Sequence, residues 1–178
     1  MPAASITNGK RGGKAMNPNQ RAESLVECLG LKPHPEGGWY RRGYLAAGSA
    51  ENRPFSSAIY YLLKAGEKSR LHRIGQDEIW HFYDGAPLRL VMIAPDGKSC
   101  EVVLGPDILA GQLPQQVVPG GHWFAAKPAC SANRPLAGFS LVGCTVAPAF
   151  DFGDFQMGKR DELLQHFPDC REIILEFT

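Results

Sequence analysis

From Ser57 to Pro148 the sequence is a succession of short β-branched and aromatic runs cut by turn residues, and no other feature constrains the fold as strongly. SAIYYLLK ends at Ala65-Gly66, SRLHRI runs into Gly75-Gln76-Asp77, EIWHFYDG closes on Asp84-Gly85, and PLRLVMIAPDG closes on a Pro-Asp-Gly turn. CEVVLG, QQVVPGG, HWFAAKP and GFSLVGCTVAP continue the series. Short runs bounded by turn dipeptides are the strands of an antiparallel sandwich or barrel. Strands and helices do not alternate along the chain, which argues against a parallel α/β sheet. The 20 glycines and 14 prolines suit such turns and are too many for a helical bundle.

Helical signals flank this region. Asn17 can cap a helix, Pro18 suits its first position and Gly30 its stop, with Leu25, Val26 and Leu29 on one stripe. LKPHPEGGWYRRGY then packs two prolines and two glycines into a rigid turn before an aromatic strand through Tyr44. Residues 46–56 read as a loop. Near the end, GKRDELLQHF reads as a helix halted by Pro168, and REIILEF as a last strand. Residues 1–16 carry no apolar periodicity and are expected to be a flexible tail, leaving 17–178 as one domain.

Nineteen Lys and Arg balance 18 Asp and Glu, a formal charge of +1, so the chain lacks the basic field of a nucleic-acid binder. It also lacks the run of ~20 apolar residues that spans a membrane. Cys28, Cys100, Cys130, Cys144 and Cys170 are odd in number and form no C-x-x-C pair. They read as buried, reduced thiols of an intracellular protein rather than as a zinc site or disulfide framework. A cytoplasmic location is expected. The first acidic residue is Glu23, so the tail is also compatible with a weak organellar transit peptide.

One stretch has fixed spacing: Gly66, five residues, His72, one residue, Ile74, three residues, Glu78, six residues, Gly85. By strand alternation Arg70, His72 and Ile74 face together, as do Glu78, Trp80 and Phe82. The spacing resembles the first motif of the cupin superfamily, and Pro119-Gly120-Gly121 resembles the turn of the second. In metal cupins two His, a Glu and a third His bind a divalent ion, but here Ile74 and Phe124 stand at two of those positions. His122 lies two residues before Phe124, so His72, Glu78 and His122 form a substitute set. The resemblance thus implies a metal-free pocket with no cofactor first, and a divalent metal at that set as the weaker alternative.

A narrower resemblance covers about Leu25 to Phe155. LGLKPHPEGGWYRR, SSAIYYLL, SRLHRIGQDEIWHFYDGAPLRL, LGPDILAGQLPQQVVPGGHWFAA and FSLVGCTVAPAFDFGDF are similar to a small single-domain cupin family of unsettled function. The family's fold is that of the sugar-nucleotide epimerases. It implies an all-β jelly-roll barrel, the cupin double-stranded β-helix, with a short N-terminal helix and a C-terminal helical segment. Family members commonly carry a Glu soon after the Tyr-Arg that follows the Gly pair, where this chain has Arg42.

Site expectations centre on His72 and Glu78 as a buried pair. The pair reads either as an oriented acid–base couple or as a satisfied core contact. Arg70, Trp80, His122 and Phe124 are the expected substrate contacts, Arg70 reading equally well as a salt bridge at the barrel rim. His34 reads as a turn residue, His81 and His166 as surface residues, and Asp151 and Asp154 as turn caps. Three functions follow in order. The first is a metal-independent epimerase- or isomerase-like enzyme acting on a sugar-like or carbonyl metabolite. The second is a non-catalytic module binding a small polar ligand, and the third a metal-dependent dioxygenase or isomerase. Uncovered sheet edges imply a homodimer.

Overall fold

The computed structural model describes residues 17–50, 52–129 and 138–178. The expected tail 1–16 and Cys130 lie outside the described residues. The strands are β1 Lys32–Pro33, β2 Trp39–Leu45, β3 Ser49–Ala50, β4 Arg53–Pro54, β5 Ser57–Lys64, β6 Ser69–Arg73, β7 Glu78–Gly85, β8 Leu88–Ile93, β9 Ser99–Leu104, β10 Gln115–Val118, β11 Trp123–Pro128, β12 Phe139–Val146 and β13 Gln156–Met157. The helices are α1 Pro18–Leu29, α2 Arg160–His166 and α3 Arg171–Phe177. Strands β3 and β4 form a small hairpin inside the stretch expected to be a loop.

One sheet has the order β1-β2-β5-β12-β7-β10 and the other β13-β6-β11-β8-β9, every neighbouring pair being antiparallel. This is the antiparallel two-sheet architecture that the turn-punctuated runs imply, and the all-β jelly roll that the cupin resemblance implies. Tyr61, Trp80, Leu90, Met92, Phe124 and Val142 pack between the sheets. Tyr61 lies opposite Val142, and Val142 opposite Phe82, so alternation carries one inward face across three strands.

The helices cover outer faces. Asn17 and Gln20 form a capping box at the start of α1, and Gly30 ends it in the left-handed conformation. Ala22 is the residue of α1 that is fully buried, while Leu25, Val26 and Leu29 are half-buried against Leu62 and Phe139. REIILEF is helical, not a strand. Ile174 and Phe177 are three apart, share one helix face with Cys170, and are buried against Leu71, Val91, Ile93 and Ala125 on the back of β6, β8 and β11. An apolar run this short fits either period, and that sheet face selects the helix.

Cys144 and Cys170 are buried as expected, but Cys28 and Cys100 are exposed. Among the described residues all four cysteines are free, and no helix is long and apolar enough to cross a membrane.

Candidate functional site

A cavity of about 410 Å³ opens between the sheets at the end nearest the β1–β2 turn. Lys32, Tyr40 and Arg42 line it from β1 and β2; Ser57, Ile59 and Tyr61 from β5; and Cys144 and Val146 from β12. His72, Ile74 and Glu78 form its deeper wall, and Phe150, Phe152 and Phe155 close another side. Tyr40 pairs with Tyr61 across the strands, Ile59 with Cys144 and Ser57 with Val146, so one face of the six-stranded sheet supplies most of the wall.

The chemical centre is Glu36, which sequence reasoning missed. Its side chain is buried in the PHPEGG turn. One carboxylate oxygen, Oε1, accepts the Ser69 hydroxyl at 2.9 Å. The other, Oε2, lies 3.1 Å from His72 Nε2 and 3.4 Å from His34 Nδ1. The turn is clamped on both sides: Arg70 donates to the Pro35 and Glu36 carbonyls, and the Tyr61 hydroxyl donates to the Gly37 carbonyl at 2.7 Å. Gly37 has φ +116°, and a Cβ there would lie 2.2 Å from the Lys68 carbonyl oxygen, so glycine lets the turn press against β6. The available signal for Glu36 was a carboxylate held between two prolines and two glycines, where a rigid turn prevents its retreat into solvent.

His72 also faces the Arg70 carbonyl oxygen, 2.7 Å from its Nδ1. Both ring nitrogens therefore look at acceptors, while a neutral imidazole has one N–H. A neutral ring serves only one of these acceptors, so the contact between His72 Nε2 and Glu36 Oε2 is a place where a further proton can be received. Phe124 packs on the His72 ring with centroids 4.1 Å apart, and Phe155 covers it at 5.4 Å.

The expected His72–Glu78 pair is replaced by His72–Glu36. Glu78 is buried beside the Cys144 thiol. Burial first, and the Glu36 charge second, push its carboxyl up to about 8, so it is a neutral acid at pH 7. Burial also holds the Cys144 thiol well above its ordinary range. Burial lowers the His34 pKa, against the pull of Glu36, leaving the ring neutral. His34 sits in the turn, as expected, and also lines the cavity.

Four expected substrate contacts stand off the cavity wall. Trp80 and Phe124 face inward but are buried in the core behind His72, their rings edge to face at 6.2 Å. His122 precedes β11 in the second-motif turn, so strand alternation does not govern it, and its Nδ1 is buried without a partner. Arg70 is exposed because of a β-bulge. Phe124 pairs with His72 but Ala126 with Ser69, so between those pairs one residue of β11, Ala125, opposes two of β6, Arg70 and Leu71. The extra residue turns Ser69 and His72 to the same face and sends Arg70 outward onto the turn.

Among the described residues no three His, Cys, Asp or Glu side chains come together in an arrangement suited to a metal ion. Ile74 lines the cavity and Phe124 packs on His72 where a metal cupin has ligands, and His122 stands off the cavity wall, so neither the usual cupin ligand set nor the His72, Glu78 and His122 set is assembled here.

The match to the family described as "Cupin superfamily (DUF985)" runs over residues 23–158. The chain belongs to this cupin family. Among solved structures, protein SO0799 of Shewanella oneidensis is 37% identical with a TM-score of 0.81, over 88% of this chain and 96% of that one. A hypothetical protein from Leishmania major is 32% identical with a TM-score of 0.84, over 88% and 98%. "Uncharacterized protein YML079W" of Saccharomyces cerevisiae is 27% identical over 84% of this chain and 81% of its own. Oxalate decarboxylase of Bacillus subtilis, 12% identical with a TM-score of 0.52 over 82% of this chain and 36% of that one, shares the fold alone.

The Glu36–His72 contact makes a thermodynamic expectation. In a double-mutant cycle of E36Q and H72Q the coupling energy is expected to exceed about 1 kcal/mol, and to exceed that of the E78Q/H72Q cycle. Urea denaturation of the single and double variants reads both. Glu78 makes another. Its ordinary value is 4.5, so between pH 4.5 and about 8 the folded protein keeps a proton that the unfolded chain has lost. Relative to E78Q, the wild type should lose stability by up to ~1.4 kcal/mol per pH unit as pH rises through that window, and level off above it.

Proposed function

We propose that this cupin binds a small polar metabolite, sugar-like or carbonyl-bearing, and moves a proton on it without a metal. The observation that supports the reading most is the presence in one cavity of two carboxyl groups with different surroundings. Glu36 lies against two imidazoles, and Glu78 is kept neutral by burial. Environments that separate two titratable groups in this way are how acid and base roles are divided at neutral pH.

In the proposed reaction the C–H bond next to the substrate carbonyl breaks, and its proton passes to the Glu36–His72 unit. The C–H electron pair forms the enol double bond as the carbonyl oxygen takes the Glu78 proton. Return of a proton to carbon, on either face or at the neighbouring carbon, with Glu78 recovering its own, completes an epimerisation or isomerisation with no net redox change. Arg70 and Ser69 act as positioning residues, through the turn and through Glu36. General acid–base groups placed in this way contribute roughly 10²–10⁴-fold. A non-catalytic ligand module is the second reading, since it needs only the cavity.

The test is a thermal-shift screen of neutral sugars and small carbonyl compounds, followed by deuterium exchange at carbon for every binder. H72Q and E36Q should lose exchange by at least a hundredfold while E78Q loses the limb of the pH profile that falls near 8. Binding without exchange in the wild type would reduce the protein to the non-catalytic module.

The homodimer belongs to the same proposal. Tyr44, Leu45 and Phe55 are exposed along β2 and the β3–β4 hairpin, at the sheet edge that a second copy would cover. Light scattering at micromolar concentration should give twice the chain mass, and a monomer would remove the dimer from the reading.

A further inference from the structure

The mouth of the cavity has a charge character that the acid–base centre does not explain. Lys32 lies directly opposite Tyr40 in the β1–β2 pair, and Arg42 follows two residues along the same strand. Residues opposite each other, or two apart, share a face, so Lys32, Tyr40 and Arg42 all project onto the cavity side of the sheet. Arg41 reaches the rim beside Gly30, its guanidinium 5.5 Å over the Tyr60 ring. All three cations are exposed, whereas Glu36, His72 and Glu78 lie inside.

Among the described residues neither Lys32 nor Arg42 has an ion-pair or hydrogen-bonding partner, and Arg41 has only the Tyr60 ring. The other cations near a carboxylate are used: Arg53 on Asp154, Lys64 on Glu23, Arg89 on Glu101 and Glu176. The carboxylates of the cavity do not compensate the mouth. Glu36 lies inside against His72, His34 and the Ser69 hydroxyl and forms no ion pair with the mouth cations, and Glu78 is neutral at pH 7. Inside the rim the wall is aromatic: Tyr40 lies edge-on to His34 at 4.5 Å, and Phe152 stacks over it at 6.3 Å. The result is a cavity of about 410 Å³ with three cations at the entrance, a ring-lined passage, and proton-handling groups at the end.

We infer that the ligand of this cavity is a small organic phosphate, its dianionic phosphate held at the mouth by Lys32, Arg41 and Arg42 and its body lying along Tyr40 and Phe152 toward His72. This rests on the reading of the cavity as a ligand site. Phosphate is favoured over a single carboxylate because three uncompensated cations suit two negative charges better than one. A guanidinium fork also matches phosphate oxygens in pairs, with Lys adding a point charge. The volume accommodates a molecule of this class, since ligand cavities run from about 300 Å³ upward.

The test is calorimetric titration of the wild type with inorganic phosphate, glycerol phosphate and acetate at one fixed ionic strength, which keeps screening the same for all three. Both phosphates should bind measurably more tightly than acetate. The K32Q/R42Q double variant should weaken phosphate at least tenfold, and R42K should fall between it and the wild type because it keeps the charge and loses the fork. K98Q, which removes one positive charge from the β8–β9 turn, should bind as the wild type does. Both altered residues are exposed, so an unchanged urea midpoint will confirm folding of the double variant. Equal binding of phosphate and acetate, or full phosphate binding by K32Q/R42Q, would overturn the inference. If neutral sugars enter the cavity while phosphate does not, the phosphate site fails and the proposed proton chemistry survives. If phosphate binds and no compound exchanges a proton, the site stands and the chemistry fails.

Discussion

Burying the carboxylate of Glu36 is the constraint on which the cavity depends. An ionised carboxylate taken from water without partners costs many kcal/mol, so its surroundings must supply donors. The Ser69 hydroxyl and the His72 ring come from β6 of the five-stranded sheet, while Glu36 itself sits in the turn joining β1 and β2 of the six-stranded sheet. The same contact therefore ties the two sheets together at one end. Arg70 on the turn carbonyls and Tyr61 on the Gly37 carbonyl hold the backbone to match. With both sheets fixed there, the space between them is a defined cavity rather than a collapsed seam.

The rest of the barrel interior shows what that end would otherwise be. Farther in, Leu88, Leu90, Leu104 and Val142 fill the gap between the sheets with apolar side chains. At the Glu36 end the inward positions are His72, Glu78, Ser57 and Cys144, too short or too polar to fill it. Phe150, Phe152 and Phe155 close one side in an edge-to-face cluster without plugging the mouth. This arrangement leaves Glu78 with a neighbouring negative charge and no cation, so burial and Glu36 together keep it protonated.

Much of this was legible in the chain. The strand runs, the capping residues of α1 and the cupin spacing were correct because each depends on local rules: period-two alternation, turn chemistry and cap hydrogen bonds. His72 and Glu78 were correctly placed on the inward face for the same reason, and both line the cavity. The same rule failed at Arg70, where a bulge that no local residue pattern announces reverses the face of everything before it. It failed at His122, which lies in a turn outside the strand.

The sequence by itself determined the architecture, because hydrophobic period and turn residues act over a few positions and leave an antiparallel barrel as the consistent solution. It also determined which chemistry-bearing residues face inward along regular strands. Tertiary structure alone decided who pairs with whom. Glu36 and His72 are 36 positions apart by number, and their contact arises from the docking of a rigid turn onto a bulged strand of the other sheet. It likewise decided that REIILEF is a helix, since only the apolar back of β6, β8 and β11 distinguishes the two periods. Long-range packing sets such choices because their free energy resides in desolvation and contact between segments, and neither segment carries that information alone.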